Sequence, residues 1–148
     1  MKPPSAGLVV LDTSIFVHYA RDDATARMIE EQYALTSRKE KPLLSSIVEG
    51  EILGFAEYRG WGKPAMDQLR RIFDQLVRVN AGEPEIVAQY SGLYVLARHA
   101  GQAMWEHQND LWIAATAMAA GAEIYTCDGD FDWLHPHQLT VIRIQECR

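Results

Sequence analysis

The chain has 148 residues, 48% of them hydrophobic and 23% charged, with a formal net charge of −6. That length fits one domain, residues 1–148, with a core large enough to need no staple, and the excess of acid argues against a generic nucleic-acid binder with a basic face. The two cysteines, Cys127 and Cys147, form no CxxC or zinc-like spacing and point to reduced thiols in a cytoplasmic protein. Met1-Lys2-Pro3-Pro4-Ser5 reads as no signal peptide, and no apolar run approaches the roughly 18 residues of a spanning helix, so no membrane partner is expected.

Short apolar runs alternate with longer helical patterns, the signature of an α/β domain with a mostly parallel sheet. A first strand is predicted over about Gly7 to Asp12, then helices over about Ser14–Arg21 and Asp23–Arg38, with Asp22 or Asp23 as N-cap of the second. Pro42-Leu43-Leu44 is a short strand. Ser45 or Ser46 caps a helix running to about Tyr58, and Ser46-Ile47-Val48-Glu49 reads as a capping box. Gly60-Trp61-Gly62 is a turn, and Pro64 suits the start of the next helix, whose apolar residues Met66, Leu69, Ile72, Phe73 and Leu76 recur at helical spacing.

Val77-Arg78-Val79 is a brief strand. Gly82-Glu83-Pro84 opens a helix that presents Ile86, Tyr90, Leu93, Tyr94 and Ala97 on one face and stops at Gly101. Asn109 is expected to cap the next helix, Asp110 to Ala120, which Gly121 ends. That helix is apolar on nearly every side and should therefore be buried. Ile124-Tyr125-Thr126 and Thr140-Val141-Ile142 are the last two strands. The expected sheet has four or five parallel strands in the order 3-2-1-4-5.

Four acids stand out against this frame. Asp12 and Asp128 each follow an apolar strand, and in a parallel sheet those ends share one edge. Each also has an ordinary reading, Asp12 as a helix N-cap and Asp128-Gly129 as a turn pair. Asp110 opens the buried helix, where the helix dipole favours an anion by roughly 0.3–1 kcal/mol. Glu51 is flanked by Gly50, Ile52 and Leu53, so it faces protein and needs a partner charge. Carboxylates that converge on one point repel one another and call for cations, and hard oxygen donors suit Mg²⁺ or Mn²⁺. Two divalent ions would bring the net charge close to neutral. Other features read as ordinary: His135-Pro136-His137 as surface histidines, His99 and His107 as solvent or core residues, and Cys127 as a buried thiol. Phe55, Tyr58 and Trp61 read as core or as a partner surface.

Four segments together carry a family resemblance: Val10-Leu11-Asp12-Thr13-Ser14, Ser46-Ile47-Val48-x-x-Glu51-Ile52, Asn109-Asp110-x-x-Ile113-Ala114-Ala115 and Thr126-x-Asp128-x-Asp130-Phe131. In order and spacing, over about residues 8–142, they resemble the signature of PIN domains and are most similar to VapC-type ribonuclease toxins of type II toxin–antitoxin operons. The resemblance implies a three-layer α/β/α fold and a Mg²⁺- or Mn²⁺-dependent endoribonuclease with a two-metal mechanism. It implies Asp12, Glu51, Asp110 and Asp128 as the catalytic and metal-binding acids, with Asp130 as a possible fifth ligand. Thr13, Ser14 and Asn109 would be supporting polar groups. RNA as substrate, a cognate antitoxin protein as partner and a homodimer follow from the same resemblance.

The chain departs from the family in being acidic where such proteins are often basic enough to hold RNA. Three rivals are weighed. An aspartyl-phosphate phosphatase of the haloacid dehalogenase type needs a second Asp two residues after the first, where Ser14 stands. A response-regulator receiver needs an acid pair and a late strand lysine that are missing. A catalytically silent PIN scaffold that only binds partners is the third.

Overall fold

The computed structural model describes residues 7–147; the segment Met1–Ser5, read above as no signal peptide, lies outside the described residues. Five strands, β1 (Val9–Leu11), β2 (Leu43–Ser45), β3 (Val77–Val79), β4 (Glu123–Thr126) and β5 (Val141–Arg143), form one sheet in the order β3-β2-β1-β4-β5. Every pairing is parallel. Six helices cover it in a three-layer α/β/α arrangement: α1 (Thr13–Arg21), α2 (Ala24–Tyr33), α3 (Ser46–Tyr58), α4 (Lys63–Phe73), α5 (Pro84–His99) and α6 (Gln108–Ala120). Both the fold class and the strand order expected from the sequence are found. Among the described residues no helix is long and apolar enough to cross a membrane.

The central strand explains the placement of the site. The chain leaves β1 toward β2 on one side, and β4 returns on the other, so the strand order reverses at β1. A reversal of this kind opens a crevice at the carboxyl ends of the strands. Val9, Val10 and Leu11 are all buried and pair in register with Glu123, Ile124 and Tyr125. The Asp12 amide continues the ladder, donating to the Tyr125 carbonyl at 2.9 Å. Asp12 and Thr126 are thereby set side by side at the mouth of the crevice.

Helix α6 approaches from the adjoining layer. Leu111, Ile113, Ala114, Ala115 and Ala117 are fully buried, as an all-apolar helix requires. It packs along α5, where Trp112 stacks on Tyr90 with ring centroids 4.0 Å apart. Because α6 is locked by packing, the residues of its first turn are presented rigidly.

Several local expectations are corrected. Helix α2 stops at Tyr33, not near Arg38, because Ala34 turns into the left-handed region at φ 51° and Arg38 folds back to donate to the Tyr33 carbonyl at 2.6 Å. The predicted capping box does not form. Ser45 is the N-cap of α3 and accepts from Ile47 N, Ser46 accepts instead from the Ala81 amide at 3.0 Å, and Glu49 pairs with Arg78 at 3.2 Å. Asn109 is not the cap of α6: the helix begins at Gln108 with His107 in the cap position, which leaves the Asn109 side chain free for the site. Two 3₁₀ turns, Ala103–Glu106 and Asp132–Leu134, fall where no regular element is expected from the pattern, since neither is longer than four residues.

Candidate active site

Asp12 is the buried centre. It is 3% exposed, and although it occupies the N-cap position of α1 its side chain makes no capping bond. The ordinary cap reading therefore fails. Its Oδ2 instead accepts from Thr126 Oγ1 at 2.8 Å and from Ser14 Oγ at 3.1 Å. Burial pushes its pKa up to about 6; hydrogen bonds from Thr126, the Thr13 backbone and Ser14 restrain the rise, and the Asp128 charge adds to it.

The two hydroxyls also organise the β4 end. Thr126 Oγ1 accepts from the Asp128 amide at 3.0 Å, and Ser14 Oγ accepts from the Cys127 amide at 3.0 Å. Each hydroxyl donates to Asp12 on one side and accepts from the following loop on the other, which fixes the loop relative to the carboxylate. Burial pushes the neighbouring Cys127 thiol up to about 11.

Glu51, on α3, is half-buried and held at both oxygens. Thr13 Oγ1 donates to Oε1, and Asn109 Nδ2 donates to Oε2 at 2.8 Å. Three elements, the starts of α1 and α6 and the first half of α3, thus meet on one carboxylate. Asp110, half-buried in the first turn of α6, is lifted to about 7 by burial and by the charges of Asp12, Asp130 and Glu51, with His107 opposing.

Asp128 and Asp130 are exposed in the loop after β4. The Asp128 carboxyl is raised by burial of part of its surface and by Asp130 and Glu146, while a hydrogen bond with Asp12 and the Arg143 charge pull it down. The Asp130 charge raises both Asp110 and Asp128.

The structure brings all four predicted acids together, with Asp130 beside them and Thr13, Ser14 and Asn109 as their hydrogen-bond donors. Two open clefts flank Asp110: one of about 370 Å³ along Glu51, Glu106 and His107, and one of about 340 Å³ along Met104, Asp130 and Trp133. Two contributors escape sequence reasoning. Thr126 stands in a signature segment, but its role as a donor to Asp12 has only a weak signal, a lone hydroxyl ending an apolar strand. His107, ordinary by its sequence context, lines both clefts. The surface readings of His135 and His137 hold.

Chemically, the cluster is a set of hard oxygen donors, three of which, Asp12, Asp110 and Asp128, are raised by burial and by neighbouring carboxylates. The residues present fit a divalent cation of the Mg²⁺ or Mn²⁺ type.

Known proteins are similar in sequence or fold. The sequence model of one family, described as PIN domain, matches residues 9–134. Ribonuclease VapC11 of Mycobacterium tuberculosis is 28% identical over 125 residues, covering 84% of this chain and 90% of that protein. Among solved structures, VapBC2 from Rickettsia felis bound to a DNA fragment from their promoter superposes with a TM-score of 0.77 at 20% identity, over 92% of this chain and 98% of that one. VapBC-5 from Mycobacterium tuberculosis, a member of the VapBC family of toxin-antitoxin systems, gives 0.64 at 19% identity, over 93% and 99%.

Proposed function

The chain belongs to the PIN-domain family, and from that premise we propose that residues 1–148 form one such domain, a divalent-metal-dependent endoribonuclease serving as the toxin of a type II toxin–antitoxin pair. The observation that carries the reading is the convergence of Asp12, Glu51, Asp110 and Asp128 at the sheet's reversal point, with Asp12 buried and lifted to about 6 and Asp110 to about 7. The ribonuclease name of a relative aligned over most of both chains supports the same chemistry.

Asp12, Glu51, Asp110 and Asp128 would hold Mg²⁺ or Mn²⁺, directly or through water, with Asp130 in reach as a further ligand. Bound divalent ions supply such a site with an acidified water and with positive charge to offset the departing oxygen of the phosphodiester. The chain's own residues do the positioning. Thr126 and Ser14 fix one oxygen of Asp12, and Thr13 with Asn109 fixes both oxygens of Glu51, so neither carboxylate must reorganise when a cation arrives. His107 lies at the rim beside Asp110. Arg143, whose Nη1 is 3.0 Å from Asp132 Oδ2, lies against Gly129 in the loop after β4 and can meet an RNA phosphate there.

The partner expected is an antitoxin. An acidic cleft accepts a guanidinium, which can bind two carboxylates at once. On α3, Phe55 and Tyr58 follow Glu51 by four and seven residues and so lie on its face of the helix. Tyr58 is 89% exposed and Phe55 37%. A partner helix covering them would carry its Arg or Lys to the acids near Asp12 and Asp110.

The test is cleavage of RNA by the pure protein with Mg²⁺ or Mn²⁺ and with EDTA. Cleavage that needs the metal, leaves 5′-phosphate ends and disappears in Asp12→Asn and Asp110→Asn is expected. Undiminished cleavage in EDTA would sink the mechanism. The gene next to this one supplies the partner arm: its product should bind and inhibit, and a product that does neither removes the toxin reading while leaving the nuclease intact.

A further inference from the structure

A second set of donors gathers on the other side of Cys127, and the acid cluster does not use it. His18, on α1, is 8% exposed. Its Nδ1 lies 2.7 Å from Asp23 Oδ2 and its Nε2 lies 2.6 Å from Glu146 Oε2. One ligand atom from each of His18, Cys127 and Glu146 falls within 4.8 Å of the other two. An imidazole nitrogen, a thiol sulfur and a carboxylate oxygen form a mixed set that favours Zn²⁺ over Mg²⁺.

The three donors come from α1, the turn after β4 and the segment after β5, and each is anchored independently. The Cys127 amide is bound to Ser14. The segment carrying Glu146 is pinned on both sides, with Ile144 N donating to the Thr126 carbonyl at 2.8 Å and Cys147 N donating to Thr25 Oγ1 at 2.8 Å. Asp23 caps α2 through Oδ1, which accepts from Ala26 N at 3.0 Å, and this leaves Oδ2 facing His18 Nδ1. A carboxylate on one imidazole nitrogen with the other nitrogen turned to soft and hard donors is the arrangement that orients a metal-bound histidine. An open cleft of about 460 Å³ lined by Cys127, Arg143, Gln145 and Glu146 provides entry from solvent.

We propose that His18, Cys127 and Glu146 form a Zn²⁺ site, with Asp23 as the positioning residue for His18, that ties the segment after β5 to α1. Three protein donors leave the fourth tetrahedral position to solvent. Coordination displaces the Cys127 thiol proton to solvent. The site differs in kind from the carboxylate cluster, and it stands whether or not the nuclease reading does.

The experiment uses the full metal-free chain, titrated with Zn²⁺ by calorimetry and with Co²⁺ by absorption, in the parent and in the Asp12→Asn/Asp110→Asn variant that disables the acid cluster. The variant should bind one equivalent of Co²⁺ with a thiolate-to-cobalt charge-transfer band, and the parent should show a band of the same amplitude while taking up further metal at its acid cluster. Cys127→Ser should abolish the band and weaken Zn²⁺ at least about 100-fold, while Cys147→Ser should leave both unchanged. Asp23→Asn retains a good N-cap and should weaken Zn²⁺ about 10–100-fold. Where His18→Gln does not fold, Glu146→Gln, on an exposed side chain, supplies the third arm and should also weaken Zn²⁺. Absence of a charge-transfer band, a band that follows Cys147, or Zn²⁺ affinity unmoved by Cys127→Ser would each overturn the site.

Discussion

Substituting Asp12 by Asn should stabilise the metal-free protein at neutral pH while abolishing its activity. Asp12 is raised from 3.8 to about 6, which corresponds to about 3 kcal/mol of preference for the neutral carboxyl in the folded state. Because the folded pKa lies above the unfolded one, this group's contribution is fully present below about pH 4. It is lost progressively as pH rises through about 6. Asn mimics the neutral form, and its carbonyl can still accept from Thr126 and Ser14. At about pH 8 in EDTA the variant should therefore be more stable by about 2–3 kcal/mol, a gain that vanishes near pH 4. For a chain of this size that is a rise in Tm of about 5–12 °C. Divalent ions should reverse the order. At a concentration of about 100 Kd they add about 2.7 kcal/mol to the parent and far less to a variant without its central ligand. The assay is thermal melting in EDTA and in Mn²⁺ from about pH 4 to pH 8, beside RNA cleavage rates. Parent and variant melting in parallel across that range would refute the electrostatic account, and an Asp12→Asn protein that is folded and fully active would remove Asp12 from the site.

Thr126→Val deletes the shorter hydroxyl bond to Asp12 and strands the Asp128 amide. Asp12 should then rise above about 6, cutting cleavage at neutral pH by about tenfold and moving the acid limb of the pH–rate profile upward. Asp128→Asn should lower the rate in Mn²⁺ strongly and Asp130→Asn less, since Asp128 bonds with the central Asp12 while Asp130 acts on the outer acids; equal effects in single-turnover assays would contradict this ranking. Gly121→Ala, at φ 63° where α6 ends, should cost about 1–2 kcal/mol in denaturant melts and leave cleavage per folded molecule unchanged.

The parts of the fold that are legible in the sequence are those where one physical signal dominates. Val9-Val10-Leu11 and Ile124-Tyr125-Thr126 are apolar runs ending in polar residues, so both the strands and the position of Asp12 can be read directly. The even apolar coat of α6 is enough by itself to mark the helix as buried. The capping box and the Asn109 cap are misread, and the Ser45/Ser46 choice is left open, where two local options compete. Ser45 and Ser46 can each cap α3; the choice falls to Ser45 because Ser46 is taken by the Ala81 amide across the chain, a contact no local pattern reveals. Asn109 is a good cap by type, yet Glu51 offers it a better partner 58 residues away. Glu51 reads as facing protein, and it does, but its neighbours Thr13 and Asn109 become visible only in three dimensions. The grouping of His18, Cys127 and Glu146 has no sequence signal, since His18 stands more than a hundred residues from the other two and the three share no motif.

A cluster of like charges at the centre of a fold raises the question of what keeps it assembled without a cation. The cost of charging the centre, set first by burial of Asp12 and to a lesser degree by the Asp128 charge, can be weighed against its supports. Ionised Asp12 costs about 3 kcal/mol, whereas burying one Leu or Ile side chain contributes about 1.5–3 kcal/mol. Val10, Leu11, Ile15 and Phe16 around Asp12, and Leu111 and Ile113 behind Asp110, are buried to within 1%. One or two of these side chains offset the charge term, and none of them must move to accommodate it. The acids sit at the ends of elements whose interiors are apolar, so repulsion at the tips acts against packing along the whole length of β1 and α6. That arrangement lets the carboxylates stay close enough to share a cation without the cation having to build the fold. It follows that chelation should leave the protein folded and lower its Tm rather than unfold it, in contrast to small domains whose metal supplies the core. Circular dichroism in EDTA that retains the helical signal at room temperature is the expected result, and loss of that signal would mean the core alone does not carry the site.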